Sequence, residues 1–383
     1  MRNMTFISLL SLLLPVSAAT AQSFHSGGVG SCNGCHVIHS STSGPTQVLL
    51  QASDPSSICL NCHAGSGGSN SISVLSQDGS ALSPGGDFYW LTRNYSWTGG
   101  QSPGYRHGHN VAALDYNLSS DPVRIKAPGG SYPSARLGCT SCHDPHGRSA
   151  SGPALAGSGS YGDVTPPGAA LGTYRLLGDV GYEAGGSSFG YSFNQPAPVA
   201  RQSSTARYGE NDASHVDYGS GMSAWCGNCH AGLVNNNHMT GSSSFRHPSD
   251  ANQLLTPAVI DIYNAYVKSN DLSGAIDSAY LQFVPFERGV SDASQLDPVS
   301  RRGPGAGAKV MCLSCHRAHA SAFGHSGRWD FTAELLADSH PAPADSGATS
   351  NDVINSYYGR DISMEFGTNQ GQFCEKCHGG QLP

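Results

Sequence analysis

The twelve cysteines of the chain fall into six groups with one pattern, in which two residues separate a cysteine pair and a histidine follows at once. The groups are Cys32-Cys35-His36, Cys59-Cys62-His63, Cys139-Cys142-His143, Cys226-Cys229-His230, Cys312-Cys315-His316 and Cys374-Cys377-His378. Haem c attaches covalently to this pattern, because the two thiols form thioethers and the adjacent histidine binds the iron. Zinc sites and redox dithiols also use cysteine pairs, but they do not explain six identical groups. The sequence therefore predicts six haem c groups, with these histidines as the proximal iron ligands.

The segments that must position these groups have little regular hydrophobic pattern. The 383 residues include 49 glycines and 22 prolines, and no repeat is visible beyond the motifs themselves. A buried macrocycle can replace much of a conventional core. We therefore predict a mostly irregular, loop-rich fold with a few short helices and very little sheet, wrapped around a chain of haems. Residues 24–383 are expected to form a single hexahaem unit.

Local patterns predict only short helices. Each Cys-x-x-Cys-His motif is expected on a short helical turn. The clearest longer helix covers residues 257–269, because Thr256 can cap it and Pro257 suits its first turn. A second short helix is expected over residues 273–283, where apolar residues recur at helical spacing.

The N-terminus predicts export. Arg2 precedes a short apolar stretch and then small residues, so residues 1–23 are expected to be a secretory signal peptide. The apolar stretch is interrupted by Pro15 and is too short to span a bilayer, and no membrane span is expected further along. With a net charge of −7 the chain is not expected to bind nucleic acid. The mature protein is predicted to be secreted, at the outer cell surface or beyond it.

The second axial ligand of each iron decides between electron transfer and substrate chemistry. Eleven histidines remain after the six proximal ones: His25, His39, His107, His109, His146, His215, His238, His247, His319, His325 and His340. This supply favours two histidines on every iron, and hence an electron-transfer protein rather than an enzyme. His109 is preferred over His107. His215, His325 and His340 are expected at the surface, and the role of His238 stays open.

Three of these histidines follow a proximal histidine by three residues. They are His39, His146 and His319. If the segment is helical, the two histidines share a face, so that one binds its own haem and the other reaches a neighbouring haem. Such an arrangement would bring the haems into contact.

Several segments of the sequence are similar to those of one family. They are Phe24–Val29, Pro84–Phe88, Gly108–Asn110, Ala127–Gly130, Cys142–Gly147, Tyr218–Ser223, Arg246–Pro248, Cys315–Ser321 and Tyr357–Arg360. In these segments the chain resembles the outer-membrane cytochrome S family of filament-forming hexahaem cytochromes. The likeness covers essentially the whole mature chain and keeps the order of the motifs. The chain is shorter than the family's pattern, and His215, His325 and His340 depart from it.

The resemblance implies an extracellular filament in which protomers join head to tail and all six haems have two histidine ligands. It assigns the distal positions to His25, His39, His109, His146, His247 and His319. His39 is the ligand that it gives to a neighbouring protomer's haem. Upstream and downstream redox partners are implied as well. The negative propionates need compensation, for which Arg93, Arg124 and Arg175 are candidates.

Two other functions share part of this pattern. A monomeric periplasmic or extracellular electron shuttle would have the same six motifs, but each iron would take its distal histidine from the same chain. A multihaem reductase would need an open iron, often marked by a variant proximal ligand, whereas all six motifs here end in histidine. The filament-forming conductor remains the leading interpretation.

Overall fold

Turns and extended loops make up most of the structure, a computed structural model that describes residues 32–37, 50–65, 73–146, 173–186, 189–203, 209–235, 249 and 254–379. Its helices are α1 (Cys32–Cys35), α2 (Pro55–His63), α3 (Met222–Asn235), α4 (Pro257–Ala265), α5 (Cys312–Cys315), α6 (Ser350–Ser356), α7 (Ile362–Phe366) and α8 (Gly371–His378). Its strands are β1 (Tyr95–Trp97), β2 (Gly100–Ser102), β3 (Val199–Gln202) and β4 (Val216–Ser220). The predicted loop-rich fold with short helices and little sheet is confirmed.

The strands form two separate antiparallel pairs. Strand β1 pairs with β2 in a register that places Tyr95 opposite Ser102. Strand β3 pairs with β4, and Gln202 lies opposite Val216. Neither pair is wide enough to form one layer of a conventional core, so loops must supply most of the packing.

Helix α4 begins as predicted and ends earlier than predicted. The Thr256 side chain accepts a hydrogen bond from the Val259 backbone, and Pro257 occupies the first turn. The helix ends at Ala265, where the carbonyl accepts a hydrogen bond from Gly274 instead of continuing the helical ladder. The second predicted helix, over residues 273–283, is wrong, because only the single turn Ile276–Ser278 forms there.

In the part of the chain that the structure describes, buried apolar side chains form four clusters instead of one core. The largest is rich in aromatic rings, among them Trp90, Phe283 and Phe373. Each cluster packs against a cysteine of a haem motif: Cys374 in the largest, and Cys226, Cys377 and Cys229 in the other three. The apolar interior is thus divided among the motifs, as expected for a chain that wraps around several large apolar groups.

Candidate haem sites

All six motifs lie on helical segments, as predicted, although the fourth lies on a helix of 14 residues instead of a short turn. Motifs one, two, four, five and six lie on α1, α2, α3, α5 and α8, and the third lies on the 3₁₀ turn Cys139–Ser141. Residues three apart on a helical turn project from one side, so the two thiols of a pair can reach the same porphyrin edge. The eleven cysteines whose state the structure describes are free thiols, so they form no disulfide framework.

Three proximal histidines are oriented by backbone carbonyls. The Nδ1 atoms of His143, His230 and His316 lie 2.8 Å from the carbonyl oxygens of Arg175, Pro128 and His325, respectively. A carbonyl only accepts hydrogen bonds, so each Nδ1 donates and the metal-binding lone pair is on Nε2. A hydrogen bond from the ring nitrogen that does not bind the metal is typical of histidine ligands.

Two further histidines lie opposite proximal ones. The His109 ring centroid is 6.0 Å from that of His230, and the His319 centroid is 6.3 Å from that of His143. With metal–nitrogen bonds of about 2.0 Å and roughly 1.1 Å from nitrogen to ring centre, imidazoles on opposite sides of a metal have centroids about 6.2 Å apart. Both observed distances match that spacing. The residues therefore fit haem iron with two histidine ligands at the third and fourth motifs.

The protonation of both partner histidines suits ligation. Desolvation, followed by the neighbouring His230, lowers the pKa of His109 to about 4. Desolvation, followed by the neighbouring His143, lowers the pKa of His319 to about 3. His109 also places Nδ1 2.7 Å from the Ala318 carbonyl, the same orienting contact that the proximal histidines make. Neutral imidazole is the form that binds a metal.

Extended backbone, rather than a helix, carries His319 to its neighbour. Helix α5 ends before His316, which has extended dihedral angles. The sequence expectation of a shared helical face is therefore wrong for this pair, although His319 does reach another motif. Gly108 and Ala320 form an antiparallel bridge, and the His109 backbone donates to the His319 carbonyl. Adjacent residues of this bridge thus supply one histidine to the third motif and one to the fourth.

Close packing fixes the ring of His319. It stacks on Phe88 with centroids 4.7 Å apart. At Gly85 a Cβ atom would lie 2.9 Å from His319 Nδ1, so only glycine leaves room for the imidazole without displacement.

Serines join the motifs in two pairs by the same contact. Ser56 Oγ accepts a hydrogen bond from the Cys139 backbone at 3.1 Å, and Ser223 Oγ accepts one from the Cys312 backbone at 3.1 Å. The second and fourth motifs share the pattern Ser-x-x-Cys-x-Asn-Cys-His, and the third and fifth share Cys-x-Ser-Cys-His. Sequence reasoning missed this repeat, because it is a short pattern shared by alternate motifs rather than a long copied unit.

His107 is held by contacts that leave no nitrogen for iron. Its Nδ1 lies 2.8 Å from the Trp90 carbonyl and its Nε2 lies 2.8 Å from Ser102 Oγ. The ring is fully buried, and this burial lowers its pKa to about 4. The structure therefore distinguishes His107, a core residue, from His109, which faces His230.

The expectation that His215 lies at the surface is wrong. His215 is fully buried and stacks on Tyr280 with ring centroids 3.7 Å apart. The His215 backbone donates a hydrogen bond to the Pro298 carbonyl and accepts one from Ser203. These contacts hold the residue in the interior. Burial lowers the pKa of His215.

The other unassigned histidines differ in exposure. His325 is exposed. His340 is half-buried rather than at the surface, since it stacks on Trp97 and its Nδ1 lies 2.7 Å from Asp345 Oδ2. His146 is 60% exposed and lies 3.9 Å from Asp144. The predictions for His25, His39, His238 and His247, and the predicted signal peptide over residues 1–23, lie outside the described residues.

In the described part of the chain, no group of three or more histidine, cysteine or acidic side chains is arranged to hold a metal ion directly. No helix in that part is long and apolar enough to cross a membrane.

Comparisons with known proteins agree with this chemistry. No protein-family model matches the chain. The C-type cytochrome OmcS of Geobacter sulfurreducens is 38% identical, over 97% of this chain and 98% of that protein. A cryo-EM structure of the OmcS nanowires from that organism superposes with a TM-score of 0.74 at 36% identity, covering 93% of this chain and 99% of that one. A second structure, of the outer membrane cytochrome S filament from the same organism, superposes with a TM-score of 0.70 at 35% identity and the same coverage.

Proposed function

This chain belongs to the family of the c-type cytochrome OmcS, and from that premise we propose that it is the protomer of an extracellular cytochrome filament that conducts electrons over long distances. Bound haem c supplies a one-electron couple at each iron. The polypeptide contributes the ligands, their orientation and the spacing of the sites. Redox partners upstream and downstream of the filament are part of the proposal.

The order of the motifs supports this proposal, because the thiols of consecutive motifs influence one another's pKa along the whole series. The pKa of Cys59 is raised by its contact with Cys139, by burial and by Cys35. Burial and then Cys229 raise the pKa of Cys142 to about 12. These contacts connect motifs one to four in sequence order.

The thiols of motifs four to six influence one another in the same way. The pKa of Cys226 is raised by its contact with Cys312 and by burial. Burial raises the pKa of Cys315 to about 12, and the nearby Cys377 adds to the increase. Six sites therefore follow one another from the first motif to the last, an arrangement that allows an electron to move between neighbouring sites along the chain.

The facing histidines favour conduction over catalysis. His109 opposite His230 and His319 opposite His143 supply both axial ligands at two sites, which leaves no coordination position for a substrate. For the remaining irons we propose His25, His39, His146 and His247 as distal ligands. A monomeric shuttle would use the same chemistry within one chain, whereas a filament needs a ligand or contact that passes between protomers.

His39 is proposed to bind an iron of the next protomer. A head-to-tail contact that does not close into a ring propagates as a filament. A ligand donated across that contact makes metal binding part of the interface, so protein without haem should not polymerise. The two filament structures of the relative support self-assembly into filaments, and the His39 ligand is our proposal for the contact.

Electron microscopy of the secreted, haem-loaded protein tests the proposal. Unaltered protein should form filaments, and H39A should remain as short oligomers or monomers with all six haems attached. The control is R302Q, because the Arg302 side chain is exposed and pairs with Asp277 at the surface. Dispersed unaltered protein would favour the shuttle, and long filaments of H39A would exclude the inter-protomer ligand.

A further inference from the structure

Two buried hydrogen-bond donors beside the third motif have no partner. Arg175 Nε and Gln202 Nε2 are closed off from solvent, and neither finds an acceptor among the residues that the structure describes. Buried polar groups in proteins are nearly always paired, because an unpaired donor loses its water without compensation. Two such donors side by side indicate an acceptor that the polypeptide itself does not supply.

The two side chains are held together and oriented. Arg175 Nη2 donates a hydrogen bond to Gln202 Oε1, which fixes the amide so that Nε2 is left for another acceptor. Gln202 is fully buried, at the end of strand β3. Strand pairing therefore positions Gln202, and Gln202 in turn holds the Arg175 side chain.

The backbone of Arg175 ties the site to the third motif. Its carbonyl accepts the hydrogen bond from His143 Nδ1 at 2.8 Å. Arg175 adopts a left-handed conformation with φ 50°. The guanidinium also lies close enough to His319 to lower the pKa of that residue further, after desolvation and His143. Arg175 therefore lies near both His143 and His319.

The positive charge of Arg175 indicates which kind of acceptor is missing. None of the ion pairs found among the described residues includes Arg175. A guanidinium with a buried, unpaired N–H favours a carboxylate, to which it can donate charge-assisted hydrogen bonds. The amide N–H of Gln202 can donate to the same carboxylate.

We propose that Arg175 and Gln202 form a carboxylate site that holds a propionate of the haem attached at Cys139 and Cys142. The inference rests on the proposed function, because it requires haem at the third motif. Arg175 then keeps this propionate ionised. Its positive charge also favours the reduced iron, so it raises the reduction potential of that haem.

The experiment uses haem-loaded R175Q and Q202L, with R302Q as the matched control. Arg302 is exposed and pairs with Asp277 at the surface. Infrared difference spectra of protein carrying ¹³C-labelled propionates report whether a carboxylate protonates, and spectroelectrochemical titration reports the potentials. In R175Q one carboxylate should protonate at a higher pH than in the unaltered protein, and one of six potentials should fall. Q202L should change in the same direction and by less, while R302Q should match the unaltered protein.

Four results would count against the inference or against the proposed function on which it rests. R175Q and Q202L spectra and potentials that both match R302Q would exclude the site. A potential that depends on added acetate in the unaltered protein would assign the site to a free carboxylate instead of a propionate. A haem count below six, measured by mass spectrometry of the unaltered protein, would refute the proposed function itself. Six attached haems with no shift in R175Q would refute the carboxylate site alone.

Discussion

Replacement of His319 by alanine is expected to convert one of six haem sites from low-spin to high-spin. The His319 ring faces His143 at 6.3 Å between centroids, whereas the neighbouring His109 faces His230 at 6.0 Å. Removal of one imidazole therefore opens one iron and leaves the fourth site intact. The expected magnitude is one sixth of the iron, with one carbon monoxide bound per protomer after reduction and none in the unaltered protein.

Electron paramagnetic resonance of the oxidised protein and carbon monoxide titration of the reduced protein measure this change. Added imidazole should restore the low-spin state, because the space beside Gly85 and Phe88 is shaped for the lost ring. The control is H107Q, since both ring nitrogens of His107 contact protein atoms. It should keep six low-spin haems and lose about 1–3 kcal/mol of unfolding free energy. A fully low-spin H319A, or a high-spin site in H107Q, would refute the assignment of these two histidines.

Two further predictions concern stability. S56A removes the acceptor of the Cys139 backbone N–H and should lower the unfolding free energy by about 1–3 kcal/mol; equal denaturation midpoints for S56A and the unaltered protein would contradict this. Burial alone would raise the pKa of Glu210, but Arg317 and Arg328 lower it to about 2 against an ordinary value of 4.5. This depressed pKa corresponds to about 3 kcal/mol of stability that is present above pH 4.5 and is lost as the pH falls towards 2. Acid unfolding curves should show this loss, and E210Q should lack it; the same acid dependence in E210Q would contradict the role of this ion pair.

The two predicted helices show where the local sequence pattern predicts a helix correctly and where it does not. Thr256 and Pro257 specify the start of α4 through a side-chain cap and a fixed φ, which are interactions within four residues. The segment after residue 273 has a comparable apolar spacing, but the Tyr280 backbone donates to Arg301 and its ring packs against Phe286. Long-range contacts overrode the local preference for a helix.

The local sequence pattern does not determine which histidines face a motif and which are buried elsewhere. His107 and His109 flank one glycine and have similar neighbours in sequence, yet one ring is satisfied by Trp90 and Ser102 and the other faces His230. His215 has no local signal for burial and is enclosed by segments that are distant in the chain, among them the one that carries Tyr280.

Residue types and their spacing are enough to specify the haem type, the loop-rich character of the fold and the helical turns at the motifs, and they predict the proximal ligands. These features depend on covalent chemistry and on residues within one turn of each other, so spacing alone specifies them. The folded chain is needed to show which histidine faces which motif, that serines join the motifs in pairs, and that Arg175 and Gln202 meet beside His143. Those features depend on contacts between segments far apart in the chain, where the backbone path, and not the order of residues, brings the groups together.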